Sequence, residues 1–335
     1  MLLLILFYQW LLVYADARKE IYSAFARGFT PRKDQLCSEW AEENIVLSSK
    51  ESPEPGPFRV NRNPLLKEPL DCMSIRSTVR ELVLKWPIQM GKTQIMSIGQ
   101  AYRMVNKPAP QLVLTATDHL REKLVDQKFT PLYENTAIKA VLKTSNSRDS
   151  SNRRFYKEFL GGMVFFEHAA NAARLKMISV RDFFGDEFSA IALALPSGDD
   201  AFAMMDGRLS AYSSTSFKCL ASSPGIEGYC QITKLYDGSD QRRYHVPCPH
   251  CLKEDYLKWE NFQYDSDNNA WYVCEHCACI IEEKFKTEII RAGRWVPAFP
   301  HRARRGYTAN CLYYPIGLGP RWPALAQMWK EANHG

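Results

Sequence analysis

The chain has no internal repeat and no long low-complexity segment, which excludes solenoid, collagen-like and disordered architectures. It has no strong charge of either sign. Lys and Arg total 43 against 37 Asp and Glu, a formal net charge of +6, so charge is compatible with a polyanionic partner but does not require one. Nor does it have an apolar run of the roughly 20 residues that cross a bilayer. The longest, Met1 to Ala15, has the length of a signal-peptide core, and Tyr14-Ala15-Asp16-Ala17 loosely resembles a cleavage site. No Lys or Arg precedes that core, which such a signal requires. A misplaced start codon and a hydrophobic docking helix are the favoured readings of this segment, with a true signal third. No stable membrane association is expected. Disulfide pairing is also missing as a pattern. Of ten cysteines, Cys37, Cys72, Cys219, Cys230 and Cys311 stand alone, mostly among apolar residues, as small buried hydrophobes do in a reducing compartment.

What remains is ordinary globular material, 46% hydrophobic and 24% charged. A length of 335 residues accommodates one large domain and a smaller module. Short apolar β-type runs at Glu81–Trp86, Gln111–Ala116, Gly162–Glu167, Met177–Asp186 and Phe217–Ser222 alternate with helical stretches near 92–105 and 117–132. Alternation of this kind predicts an α/β fold with a mainly parallel sheet and helices on both faces. A segment near 32–47 reads as a helix, and 48–69 as an irregular loop rich in Pro, Glu and Asn.

The other four cysteines form two pairs, Cys248-Pro-His-Cys251 and Cys274-Glu-His-Cys277, separated by 22 residues. Two such knuckles can set four thiolates at the corners of a tetrahedron, the geometry of structural Zn²⁺. Cys279 can compete as a ligand, but its spacing suits a knuckle turn less well. His250 and His276 lie inside the knuckles, where four thiolates already fill the coordination shell.

Gly91-Lys92-Thr93 comes directly after the first apolar run and opens a helix. In a phosphate-binding loop, backbone N–H groups and a helix N-terminus face the phosphates, the Lys reaches the β/γ-phosphates and the Thr hydroxyl reaches Mg²⁺. Trp86 stands where the usual motif has its first Gly, so the motif is degenerate. Asp186-Glu187 ends another apolar run. Asp186 would hold Mg²⁺, and Glu187 would orient and deprotonate a water. Ser222-Ser223 after the next strand can sense the γ-phosphate or form a simple turn. Arg174, Arg181 and Arg208 are equal candidates for an arginine that stabilises the transition state. Arg242, Arg243, His245, Arg302, Arg304 and Arg305 flank the knuckles and would either contact phosphates or form a solvated face.

With these motifs in place, the chain from about Ser38 onward resembles the lambda-type (GpA-like) family of phage terminase large subunits. Ser38-Glu39-Trp40-Ala41-Glu42, Gln89-Met90-Gly91-Lys92-Thr93, Asp186-Glu187, Ser222-Ser223-Pro224 and above all Ser239 to Cys251 (SDQRRYHVPCPHC) resemble that family's motifs. The run Arg181-Asp182-Phe183-Phe184-Gly185 is less smoothly apolar than is usual there, and the family's nuclease domain would begin about where Gly335 stands. The resemblance implies a RecA/ASCE-like P-loop ATPase domain over 30–240, a zinc ribbon over 241–300, and a connector over 301–335, with 1–29 unassigned. It implies ATP, Mg²⁺ and Zn²⁺ as cofactors. Gln89, Gly91, Lys92, Thr93, Ser222 and Ser223 would contact the nucleotide, with Lys92, Asp186 and Glu187 catalytic. The metals would sit on Thr93 and Asp186, and on Cys248, Cys251, Cys274 and Cys277. The function it implies is ATP-driven packaging of double-stranded DNA into a procapsid in the host cytoplasm, by a homo-oligomer with a small subunit and a portal. The rival reading is a non-catalytic zinc-ribbon nucleic-acid binder, or another DNA-dependent ATPase, left by a decayed prophage.

Overall fold

The structure is a computed structural model. It describes residues 34–143, 152–170, 175, 177–194, 201–225 and 230–334, together with Arg18 and Tyr22. The apolar start, Arg174 and most of the first 33 residues lie outside them. The chain divides into a short unit, Met1–Asp34, and a large one, Gln35–Gly335. In the first, Arg18 donates to the Tyr22 hydroxyl one helical turn away (3.3 Å). No helix among the described residues is long and apolar enough to cross a membrane.

The large unit is built on one sheet of eleven strands. In chain order they are β1 (Glu81–Lys85), β2 (Gln111–Thr115), β3 (Asn152–Arg153), β4 (Tyr156–Phe159), β5 (Gly162–His168), β6 (Asp182–Asp186), β7 (Phe217–Ser222), β8 (Arg242–Pro247), β9 (Glu254–Tyr256), β10 (Arg294–Pro297) and β11 (Arg305–Thr308). Their spatial order is β9-β8-β11-β1-β7-β6-β2-β5-β4-β3, and β10 pairs with β8 off that path. From β8 to β5 every neighbouring pair is parallel. Both margins turn antiparallel: β3-β4-β5 on one side, β9 and β10 against β8 on the other.

The five apolar runs expected as strands are β1, β2, β5, β6 and β7, and they lie next to one another in the sheet in the order β1-β7-β6-β2-β5. Helix α1 (Cys37–Asn44) occupies part of the segment expected to be helical, and α2 (Lys92–Asn106) comes next after β1. The stretch after β2 is α-helical from Asp118 to Leu124, widens into a π turn over Val125–Phe129 and ends at Leu132.

Alternate residues of each strand serve opposite faces, as the pleat requires. On one face Leu82, Leu84, Val113, Phe184 and Cys219 join a large core with Ile95 and Met96 of α2. On the other, Val83, Leu112, Phe183 and Leu220 pack with Phe188, Ile191 and Ile232. The large core does not stop at the central strands. It runs through Trp86, Trp295, Tyr307, Tyr313 and Trp322 to Cys248 and Cys274. β8, which leads into the first knuckle, pairs with β11, which in turn pairs with β1. A three-stranded antiparallel sheet (262–264, 270–273, 280–282) carries the second knuckle.

Candidate functional site

Carboxyl ends of parallel strands are where α/β sheets gather ligand-binding loops. Here the loop after β1, the acids ending β6 and the serines ending β7 meet at one such edge. β1 and β6 both neighbour β7, so the three segments lie side by side.

Lys92, the first residue of α2, has a side chain only 5% exposed. Its Nζ donates to the Trp86 carbonyl (3.2 Å), the Pro87 carbonyl (3.3 Å) and Ser223 Oγ (2.6 Å), and lies 3.5 Å from Glu187 Oε1. Burial lowers the Lys92 pKa, opposed by the attraction of Glu187 and Asp186. The Thr93 hydroxyl lies 3.3 and 3.4 Å from the two oxygens of Asp186. Burial, and then the neighbouring Glu187 charge, push the Asp186 carboxyl up to about 6 despite Lys92. Glu187 Oε2 accepts from Ser222 Oγ (3.3 Å) and from the Ser223 backbone N–H (3.4 Å). Lys92, Thr93, Asp186, Glu187, Ser222 and Ser223 therefore form one connected cluster.

The backbone around this cluster is held in unusual conformations. Gln89 (φ 59°), Gly91 (φ 99°) and Glu187 (φ 51°) lie in the left-handed region. Non-glycine residues held there cluster at functional sites. A Cβ on Gly91 would stand 2.8 Å from Leu66 Cδ2, so a side chain there meets both a strained φ and a neighbour that must move. Gln89 is exposed at the loop tip. Trp86 is absent from the left-handed residues, which explains why its position tolerates a side chain. That side chain is fully buried and stacks on Trp295 (5.8 Å, 12°), leaving only its carbonyl turned to Lys92.

Sequence patterns alone did not find the loop's supports. Asn63 Nδ2 donates to the Met90 carbonyl (3.2 Å), and Tyr314 OH donates to the Ile88 carbonyl (2.6 Å). Asn63 lies in the stretch read as an irregular loop, and Tyr314 is 226 residues from its partner, so neither carries a local signal. Beside Gly91 opens a cavity of about 240 Å³, lined by Leu47, Phe58, Asn63, Leu66, Gln94 and Leu318 among others.

Two of the candidate arginines are elsewhere. Arg181 precedes β6, at the end opposite Asp186. It binds Asp182 (3.0 and 2.8 Å) and the Lys107 carbonyl. The backbone of Arg208 binds Val180, and its guanidinium the Leu175 carbonyl, at that same end. The basic run around the knuckles is largely spent internally. Arg242 and Arg305 both reach Asp240 Oδ2 (2.7 Å each), Arg304 pairs with Glu81 (2.8 Å), and Arg302 caps the Asp237 and Ser239 carbonyls.

The four knuckle sulfurs lie within 4.8 Å of one another, with Cys248–Cys277 and Cys251–Cys274 separations of 3.8 Å. A tetrahedron with metal–sulfur bonds of about 2.3 Å has edges of about 3.8 Å, so the set fits a tetrahedral metal. The knuckles are structural twins. Leu252 N–H donates to the Cys248 carbonyl and Ala278 N–H to the Cys274 carbonyl, both donors in left-handed φ (61° and 57°). Cys279 is exposed and lies outside the set, its carbonyl accepting from the Cys274 N–H. His250 Nε2 turns to the Ile280 carbonyl (3.0 Å) and His276 to Asp255 (3.5 Å), so neither histidine joins the set.

Fold and site together define a mostly parallel α/β protein with a lysine, acid and serine cluster at its strand carboxyl ends and a four-cysteine cluster on the same framework. The chain belongs to the family of phage terminase large subunit gpA ATPase domains, whose model matches residues 52–295. It is 26% identical over 279 residues to the terminase large subunit of Enterobacteria phage P21, covering 77% of this chain and 41% of that protein. Identity to the corresponding protein of Escherichia phage lambda is 24% over 263 residues, covering 75% and 40%. The chain thus spans about two fifths of the length of these relatives. Among solved structures it is similar to the large terminase ATPase domain of Thermus phage P74-26 (TM-score 0.44, 12% identity, 83% and 88% coverage). It is also similar to the large terminase of bacteriophage HK97 (TM-score 0.45, 11% identity, 61% and 40% coverage).

Proposed function

We propose that the chain is the ATP-hydrolysing motor part of a terminase large subunit and that it drives double-stranded DNA into a procapsid. The observation that carries the reading is the single cluster in which Lys92, Thr93, Asp186 and Glu187 meet at the carboxyl edge of a parallel sheet. The loop Pro87–Gly91 and the N-terminus of α2 form a P-loop for the triphosphate, Gln89 included. Nucleoside binding falls to the cavity beside Gly91. Thr93 and Asp186 would hold Mg²⁺, which supplies charge neutralisation at the phosphates. Glu187 accepts the proton of the attacking water, and Lys92 neutralises phosphate charge. Ser222 and Ser223 bind Glu187 directly, and Ser223 also binds Lys92, which suits them to couple the acid's state to β7 and the segment after it. The knuckles take one structural Zn²⁺. DNA is the cargo; a small subunit, a portal and further copies of the chain are the expected partners.

ATP turnover by purified protein tests this. Glu187→Gln should retain ATP binding and lose hydrolysis by about 10²-fold or more, the scale of a lost general base. Asp186→Asn should weaken the Mg²⁺-dependent part of binding. Lys92→Ala should abolish turnover. Because Lys92 is buried and ties the loop to Ser223, not exposed as its place in a loop suggests, that variant must first be shown to fold. Normal hydrolysis by Glu187→Gln would sink the assignment.

A further inference from the structure

At the amino ends of the strands, opposite the lysine–acid cluster, lies a basin of about 610 Å³ whose lining residues include no Asp or Glu. Four cations line it: Arg80, Arg103, Lys107 and Arg181. Two of them are locked. Arg103 grips Asp182 through Nε and Nη2 (3.0 and 2.7 Å), and Arg181 grips the same carboxylate. The other two are free to receive a ligand. The Arg80 side chain is exposed and has no ion pair among the described residues. Lys107 is half-buried and reaches only the Ile75 carbonyl, at 3.4 Å. Burial, and then the nearby positive charges of Arg103 and Arg181, lower the Lys107 pKa; Asp182 opposes them in part, and Arg80 adds less, so the cations around Lys107 outnumber the one carboxylate. Thr78 and Thr215 add exposed hydroxyls to the rim. The knuckle-flanking arginines are mostly engaged by carboxylates and carbonyls of the chain itself, whereas Arg80 and Lys107 pair with no carboxylate among the described residues.

We propose that this basin is a phosphate-binding site, in which Arg80 and Lys107 hold phosphate oxygens directly over a floor of the Arg103–Asp182–Arg181 lock, and that its source of phosphate is the backbone of DNA. The DNA part rests on the packaging reading above. An oxyanion fits because the excess is positive, the donors are charged and partly desolvated, and no carboxylate of the rim competes.

The test compares the unmodified protein with the double variant Arg80→Gln, Lys107→Gln, using a labelled DNA duplex over a salt series and, separately, inorganic phosphate by calorimetry. Losing two phosphate contacts should reduce the slope of log K against log salt by about 2 and abolish the calorimetric phosphate signal that remains when the Lys92 loop is saturated with ADP, while DNA-independent ATP turnover stays unchanged. The charge-retaining variant Arg80→Lys, Lys107→Arg should recover the slope, which a merely structural role would not. An unchanged slope with phosphate binding lost would overturn DNA as the source. An unchanged slope and unchanged phosphate binding would overturn the site. Should the unmodified protein bind no DNA, the packaging reading fails, while the phosphate titration still decides the basin.

Discussion

At the residue scale, the less apolar start of β6 is explained by the fold. Asp182 is fully buried, and it is there as the common partner of Arg103 and Arg181. Burial alone would raise its carboxyl, but the two guanidinium groups outweigh it and hold the carboxyl below the ordinary value of 3.8. A carboxylate with a depressed folded-state pKa contributes stability that is present above its unfolded value and is lost as pH falls through the folded one. Asp182→Asn leaves Arg103 buried without its counter-charge and should cost about 3–5 kcal/mol at neutral pH. The difference between the two proteins should narrow in acid, below the ordinary aspartate range. Denaturant unfolding across pH measures it, and a neutral-pH loss under about 1 kcal/mol would rule out a buried pair.

At the element scale, two short segments hold groups in costly positions. The loop between β1 and α2 depends on Gly91, whose φ of 99° strains any side chain and where a Cβ would have to displace the Leu66 methyl. Gly91→Ala should distort the loop and weaken ATP binding by about tenfold, from a strain on the order of 1–2 kcal/mol. Isothermal titration reads this directly, and an affinity equal to the unmodified protein's would show that the loop does not face the nucleotide. The second segment is the short helix Lys286–Arg291. Its first residue buries an ammonium against Trp322 with Glu283 Oε1 3.5 Å away, and burial lowers the Lys286 pKa to about 8. A lysine depressed in the folded state binds fewer protons there than in the unfolded chain, so its destabilising effect fades as pH rises from 8 to 10.5. Lys286→Met should raise the thermal midpoint at pH 7 and lose that advantage above about pH 10. A midpoint gain independent of pH would assign the effect to packing alone.

On the scale of the whole molecule, the central sheet and the knuckles share one core. β8 runs from the sheet into Cys248, Trp295 stacks on Trp86 beside the loop, and Asp240 clasps Arg242 and Arg305 on neighbouring strands. Structural zinc contributes on the order of 10 kcal/mol to folding in small modules. Chelation, or Cys251→Ser, should therefore lower the thermal midpoint as a single transition and weaken ATP binding along with it. Scanning calorimetry with and without chelator decides. Two separated transitions, the upper one with unchanged nucleotide affinity, would show independent modules.

The local patterns were legible in the sequence because they rest on short-range chemistry. Period and composition marked the five central strands and α2, and cysteine spacing marked the tetrahedral set, since a knuckle is closed by hydrogen bonds within five residues. Gly91-Lys92-Thr93 and Asp186-Glu187 were visible as motifs, but only strand order brought them within 3.5 Å of each other. Register and long-range pairing decided the rest: the antiparallel margins, the joining of the knuckle module to the sheet through β8 and β11, and the support of the loop by Asn63 and Tyr314. The same cause settled the arginines. A guanidinium looks alike in any sequence, and only the fold decides whether it meets a carboxylate of the chain, as Arg181, Arg242 and Arg305 do, or faces open space, as Arg80 does.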